Sequence, residues 1–115
     1  MPEINLFRSA AVHRELQEGE VLFEAGQPAL HMYGVISGEV TLQQGDVVLE
    51  HVGPGGIFGE VGILGDRTRS AGATASKQSV VAEIDEAEFL RLVKMNAIFA
   101  LEVMRFMAVR LQRTT

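Results

Sequence analysis

An antiparallel β sandwich or roll followed by two α-helices is the fold class this 115-residue chain predicts, and three observations predict it. From Val12 to Asp85 short apolar or alternating runs are punctuated by glycine-marked turns. After Asp85 there is neither glycine nor proline, and apolar residues recur at helical intervals instead. No internal repeat, linker or low-complexity stretch interrupts the passage from one regime to the other.

In chain order, strands are expected at 20–23, 31–37, 39–43, 47–52, 71–75 and 79–84. The turn signals are Gly26-Gln27-Pro28, Ser37-Gly38, Gly45-Asp46 and Gly53-Pro54-Gly55-Gly56. Helices are expected at 86–94 and 96–113, with Asp85 and Asn96 near their starts. On a wheel at about 100° per residue, the last helix sorts Leu101, Val103, Met104, Met107, Ala108 and Leu111 onto one apolar face. Glu102, Arg105, Arg110, Gln112 and Arg113 go to the other, together with Ile98, Phe99, Phe106 and Val109. So many apolar residues on the second face predict that the helix touches both its own β layer and a second object, a ligand or another copy of the chain.

The chemistry concentrates in residues 58–75, FGEVGILGDRTRSAGATA. Gly59 and Gly62 bracket Glu60-Val61 and let the backbone approach a ligand closely. A single helical turn over 59–64 would offer unpaired N–H groups to an anion. Arg69 carries the side chain best matched to a phosphate, a planar fork that stays ionised when partly buried. Glu60 does not belong beside a phosphate and is suited to accept hydroxyl donors from a sugar, with Arg69 offsetting its charge. Ser70 and the N–H of Ala71 add donors beside the guanidinium.

This segment resembles the phosphate-binding cassette of the cyclic nucleotide-binding domain, the family found in bacterial cyclic AMP receptor proteins, protein kinase A regulatory subunits and nucleotide-gated channels. EGEVLFEAGQPA at 18–29 resembles the family's first strand pair and MYGVISGEVTL at 32–42 its central hairpin. HVGPGGIFGE at 51–60 is similar to its approach to the cassette and IDEAEFLRLV at 84–93 to its first C-terminal helix. The resemblance implies a double-stranded, jelly-roll-like β-roll over about 12–85, an N-terminal helical segment and two C-terminal helices over about 86–113, all in one domain, 1–115. It implies that Glu60 binds the ribose hydroxyl and Arg69 the cyclic phosphate. The backbones of Gly59, Val61 and Gly62 help, and Ser70 and Ala71 complete the shell. Two departures stand out: Gly72 occupies a place where the family has a β-former such as Thr, which is expected to loosen that strand, and the Gln44-Gly45-Asp46 loop is short. In the family the last helix caps the base and often pairs subunits. Arg105 and Arg110 are within reach of a base edge, but no motif marks them, so they are not counted among the site residues.

Composition narrows the alternatives. The net charge is −5, with five basic against twelve acidic residues up to position 85 and five against three beyond it. Such a chain repels polyanions, and no helix-turn-helix pattern follows the last helix, so no nucleic-acid partner is expected. The sequence contains no cysteine, which excludes disulfides and thiolate-ligated centres. No signal peptide or membrane-length apolar run is present, and a cytoplasmic location is expected, with Met1 and the short tail suiting a stand-alone protein. His13, His31 and His51 are too scattered for a metal site, a cupin or a Ser/His/Asp triad, although a haem sensor of the same fold would need only one histidine. A dinucleotide fingerprint fails because Phe58 stands where glycine is required. The expectation is a non-enzymatic sensor without metal or cofactor. It binds cyclic AMP in preference to cyclic GMP and acts through the C-terminal helix on a second copy or an effector. The competing expectations are a ligand-free interaction or dimerisation module and a regulatory domain for a separately encoded channel or enzyme.

Overall fold

In the computed structural model, which describes residues 6–65 and 68–114, two four-stranded antiparallel sheets face each other and helices cover the outer side of one of them. Asp66 and Arg67 of the cassette segment lie outside the described residues. A 3-10 turn, Leu6–Ser9, opens the described chain as the helical N-terminal segment. The strands are β1 (His13–Leu16), β2 (Val21–Phe23), β3 (Met32–Ser37), β4 (Val40–Gln44), β5 (Val47–Val52), β6 (Ile57–Phe58), β7 (Gly72–Ala75) and β8 (Ser79–Ile84). A helical turn, α1 (Val61–Leu64), interrupts them, and α2 (Glu86–Met95) and α3 (Ile98–Thr114) follow. One sheet runs β1-β8-β3-β6 and the other β2-β7-β4-β5.

The continuous apolar run of β3 is explained by its burial on both faces. Tyr33 and Val35 point into the layer between the sheets, with Phe23, Val40, Phe58, Ala73 and Val81. Met32 faces the helices, with Phe7, Ile84, Leu92, Phe99, Val103 and Phe106. Gly34 is obligatory on that second face, because a Cβ there would come within 2.4 Å of the Phe7 ring.

Two strands were not marked by the sequence pattern. In β1 three of four residues are exposed and only Leu16 is buried, so no alternation announces it, and it exists through its pairing with β8. β6 has two residues, too few for a period, and pairs with Tyr33 and Gly34. Gly72 opens β7 and keeps register with Gln43 of β4, while on the other side of β7 the pairing with β2 shifts register between Val21 and Phe23. The short loop is a tight turn, with Gln44 paired to Val47 and Gly45 at φ 57°.

The helices start where capping residues allow. Asp85 accepts a hydrogen bond from the N–H of Glu88 at 2.8 Å, and Asn96 Oδ1 accepts from the N–H of Ile98 at 3.1 Å. The helical wheel needs correction for α3. Phe99, Val103 and Phe106 share one fully buried stripe, whereas Ile98, Leu101, Met104 and Leu111 are exposed on the outer side. The spacing 99-103-106-110 follows one face of a helix. Arg110 lies on that inward side with Phe99 and Phe106, as the wheel grouped it, and two carboxylates meet it there; Val103, which the wheel put on the other face, is the residue to be moved.

Candidate functional site

Arg69 is set by the backbone around it before its side chain makes any contact. Its N–H donates to the carbonyl of Gln27 at 2.9 Å and its carbonyl accepts from the N–H of Gly26 at 2.8 Å. The Gly26-Gln27-Pro28 turn therefore clamps the cassette, a bond that Gly26 permits with φ at 90°. The guanidinium is buried, at 6% exposure, and lies 4.0 Å over the Phe23 ring and 5.7 Å from the centroid of Tyr33. Nη1 donates to the carbonyl of Gly59 at 3.0 Å and Nη2 to that of His31 at 2.8 Å. Among the described residues, Arg69 Nε is the buried side-chain polar atom without a hydrogen-bond partner. Burial lowers the guanidinium's pKa from its usual value, against the pull of Tyr33 and Glu60. Tyr33 itself is pushed up, first by burial and then by Glu83, to which it donates at 3.2 Å. Gly59 is the residue that makes room: its φ is 74°, and a Cβ would lie 2.7 Å from Arg69 Nη1.

Glu60, at 8% exposure, follows at the mouth of α1, whose Leu64 N–H donates to the Glu60 carbonyl at 2.9 Å. Its carboxylate accepts from Arg110 Nη1 at 2.6 Å. Arg110 comes from α3 and also binds Glu50 of β5, through Nε at 3.0 Å and Nη2 at 3.2 Å, and the carbonyl of Ile57. It lies 4.8 Å over the Phe106 ring. Burial pulls the Arg110 pKa down, but Glu60 and Glu50 outweigh it and the net direction is up.

These groups line one cleft of ≈190 Å³. Of the residues singled out in the sequence, it brings together Gly59, Glu60, Arg69, Ser70 and Ala71. Val61 and Gly62 open the adjoining turn α1. The side chains at 60 and 69 share a cavity, the arrangement that binding one small ligand through both requires. Of the remaining wall, Phe23, Leu42, Leu49, Glu50 and Thr68 were not anticipated, whereas Arg110 was placed within reach of a base edge but not counted among the site residues. No motif marks them. The signal that could have found Arg110 is its place in the 99-103-106 stripe, where a charge must have a buried partner.

The floor has a regular construction. Phe23 is in register with Ala73, Ala73 with Leu42, and Leu42 with Glu50, so these residues form one row across all four strands of a sheet. Three strand spacings make that row roughly 14 Å long, with Arg69 above Phe23 at one end and Arg110 bonded to Glu50 at the other.

Comparison with known proteins finds the same β-roll with C-terminal helices. The sequence profile of the cyclic nucleotide-binding domain matches residues 13–96. This chain belongs to the cyclic nucleotide-binding domain family. It is 34% identical over 84 residues to the cAMP-dependent protein kinase regulatory subunit of Dictyostelium discoideum, covering 66% of this chain and 26% of that protein. It is 28% identical over 115 residues to the Cyclic AMP receptor protein of Thermus thermophilus, covering 96% of this chain and 53% of that one. The chain thus spans about a quarter and about half of these relatives. A solved structure described as "A cyclic-GMP-dependent signalling pathway regulates bacterial phytopathogenesis" superimposes with a TM-score of 0.82 at 33% identity, covering 98% of both chains. Among the described residues of this family member, no helix is long and apolar enough to cross a membrane, and no cluster of three or more His, Cys, Asp or Glu is placed to hold a metal ion.

Proposed function

We propose that this cyclic nucleotide-binding domain is a sensor that binds one cyclic purine mononucleotide in the cleft and reports its presence through α3. Arg69 takes the cyclic phosphate, Glu60 the ribose 2′-hydroxyl, and the backbone at Gly59, Val61 and Gly62, with Ser70 and Ala71, closes the shell. The supporting observation is the buried Arg69 guanidinium with an unsatisfied Nε in a cleft shared with the carboxylate of Glu60. A phosphate oxygen supplies the acceptor that such a donor lacks. The regulatory names of the relatives support a signalling role; that it is exercised in the cytoplasm, without catalysis and without a nucleic-acid ligand, is part of the same proposal. The relatives' names support cyclic AMP, and the neighbour's description concerns cyclic GMP.

Coupling follows from one side chain. Arg110 joins α3 to Glu60, so a ribose bound to that carboxylate changes the electrostatics at the end of the helix. Ligand and helix position then bias each other in proportion to the difference in affinity between helix positions. The exposed Ile98, Leu101, Met104 and Leu111 give α3 an apolar outer side for a second copy or an effector.

The test is calorimetric titration of Arg69→Leu against the wild-type chain with both cyclic nucleotides. Losing the cation opposite a buried phosphate is expected to cost about 3–5 kcal/mol, a fall of two decades or more in affinity. Wild-type affinity in the variant would remove Arg69 from the site.

A further inference from the structure

Phe23 turns inward against the alternation of its own strand. Residues two apart on a strand normally share one side of the sheet, yet Val21 is 51% exposed and Phe23 only 9%. The register shows why: Val21 pairs with Thr74 and Phe23 with the adjacent Ala73, so Leu22 is the extra residue of a β-bulge. Bulges re-aim side chains in this way beside functional sites. Two further rings then fix the one that the bulge has turned in. Phe23 lies 6.0 Å from Tyr33 and 6.1 Å from Phe58, which stack on each other at 5.2 Å.

What the Phe23 ring meets is a buried cation without a counter-ion. The Arg69 guanidinium lies 4.0 Å over its face. Both terminal nitrogens donate to neutral acceptors, the carbonyls of Gly59 and His31. Among the described residues no ion pair joins Arg69 to a carboxylate, and Glu60 accepts from Arg110 instead. The negative face of an aromatic ring attracts a cation without neutralising it. A carboxylate at position 23 would cancel the charge and compete with an incoming anion. An aliphatic side chain would leave that face of the guanidinium with no electrostatic partner. The ring therefore holds the cation and leaves its charge available.

Resting on the cyclic nucleotide reading, we propose that Phe23 is a positioning residue of the phosphate site, holding Arg69 in place with its Nε unspent before the ligand arrives. It acts through the arginine. Its contribution to affinity is the ordering that a long flexible side chain does not have to undergo on binding. The hold is electrostatic, so it depends on the electrons of the ring and not on its volume alone.

The experiment is calorimetric titration with cyclic AMP and cyclic GMP of the wild-type chain, of Phe23→Leu, and of chains carrying monofluoro-, trifluoro- or pentafluorophenylalanine at position 23 alone. Each added fluorine weakens the negative face of the ring and nearly preserves its shape. Affinity is expected to fall stepwise along the fluorine series, by about two- to tenfold at its end, and Phe23→Leu should fall as far. The fluorinated chains keep the ring, so they decide the matter should Phe23→Leu fail to fold. The same series at Phe58, whose ring has no cation over it among the described residues, is expected to leave affinity unchanged. Constant affinity along the series at position 23, or an equal fall at position 58, overturns the role of Phe23 and leaves the sensor reading standing. If neither nucleotide binds the wild-type chain, the sensor reading itself is overturned and this inference with it.

Discussion

Arg110→Met tests how the last helix is fastened to the cleft. The substitution keeps a long unbranched stem against Phe106 and removes the guanidinium that bonds Glu60 at 2.6 Å, Glu50 at 3.0 and 3.2 Å, and the carbonyl of Ile57. The side chains involved are 17%, 10% and 14% exposed, for Arg110, Glu60 and Glu50. Removing one partner of a buried pair costs about 3–5 kcal/mol, because the remaining charge stays buried. Arg113, 3.6 Å from Glu50, and residual hydration recover part of that, so a loss near the lower bound, about 3 kcal/mol, is expected. At roughly 4–5 °C per kcal/mol for a domain of this length, the midpoint should fall by about 12–15 °C. Urea unfolding followed by far-UV circular dichroism measures the free-energy loss and thermal melting the midpoint, with exposed Arg105→Met as the control, expected within about 0.5 kcal/mol of wild type. In a Glu50→Gln background the cost of Arg110→Met should shrink by about 1 kcal/mol or more, since part of the stranded charge is gone. A loss below about 1 kcal/mol, or one matching the control, would show that the ion pairs do not fasten the helix.

Other substitutions probe the remaining supports. Gly59→Ala forces a side chain onto a left-handed backbone and against Arg69 Nη1; thermal melting should show a loss of about 1–2 kcal/mol, and calorimetry weaker nucleotide binding. Phe99→Ala removes a ring packed on Phe7 and Phe89 and should cost about 3–5 kcal/mol, whereas exposed Leu101→Ala should stay within about 0.5 kcal/mol. The reverse order would mean that α3 is turned the other way. Glu88 is hydrogen-bonded by Arg91 and by the N–H of Ala11, which holds its pKa below the usual carboxylate value. Its contribution is complete above the unfolded-state pKa and disappears as the pH drops through the folded one, so Glu88→Gln should be less stable than wild type at neutral pH and indistinguishable in acid. A constant difference across an acid titration would argue against this link.

Where function demanded particular residue types, the fold and the cleft could be read from residues alone. The bounds of β5 and β8, the turn at α1 and the Asp85 cap follow from alternation, glycine and capping chemistry. Glu60 and Arg69 stood out because few other roles suit a carboxylate and a guanidinium between glycines. β1 was hidden because a strand can be held by its neighbour's hydrogen bonds with one buried side chain. The far wall was hidden for a related reason: Leu49, the extra residue between the Leu42–Glu50 and Gln43–Val48 pairs, enters the cleft through a bulge, a matter of pairing between strands that no periodicity within one strand records. Arg110 was grouped with Phe99 and Phe106 and placed within reach of a ligand, but its partners, Glu60 and Glu50, lie fifty and sixty residues away in the chain, where no wheel can show them.

Arg69 also has a kinetic meaning. Two carbonyls and an aromatic ring already fix its torsions, so under the proposed function an arriving phosphate has no floppy arm to tame. Immobilising such a side chain on arrival would otherwise consume about 0.5–1.5 kcal/mol. Spared that, the protein can match a signal's duration through how long it retains the messenger and need not wait for its own receptor loop to settle.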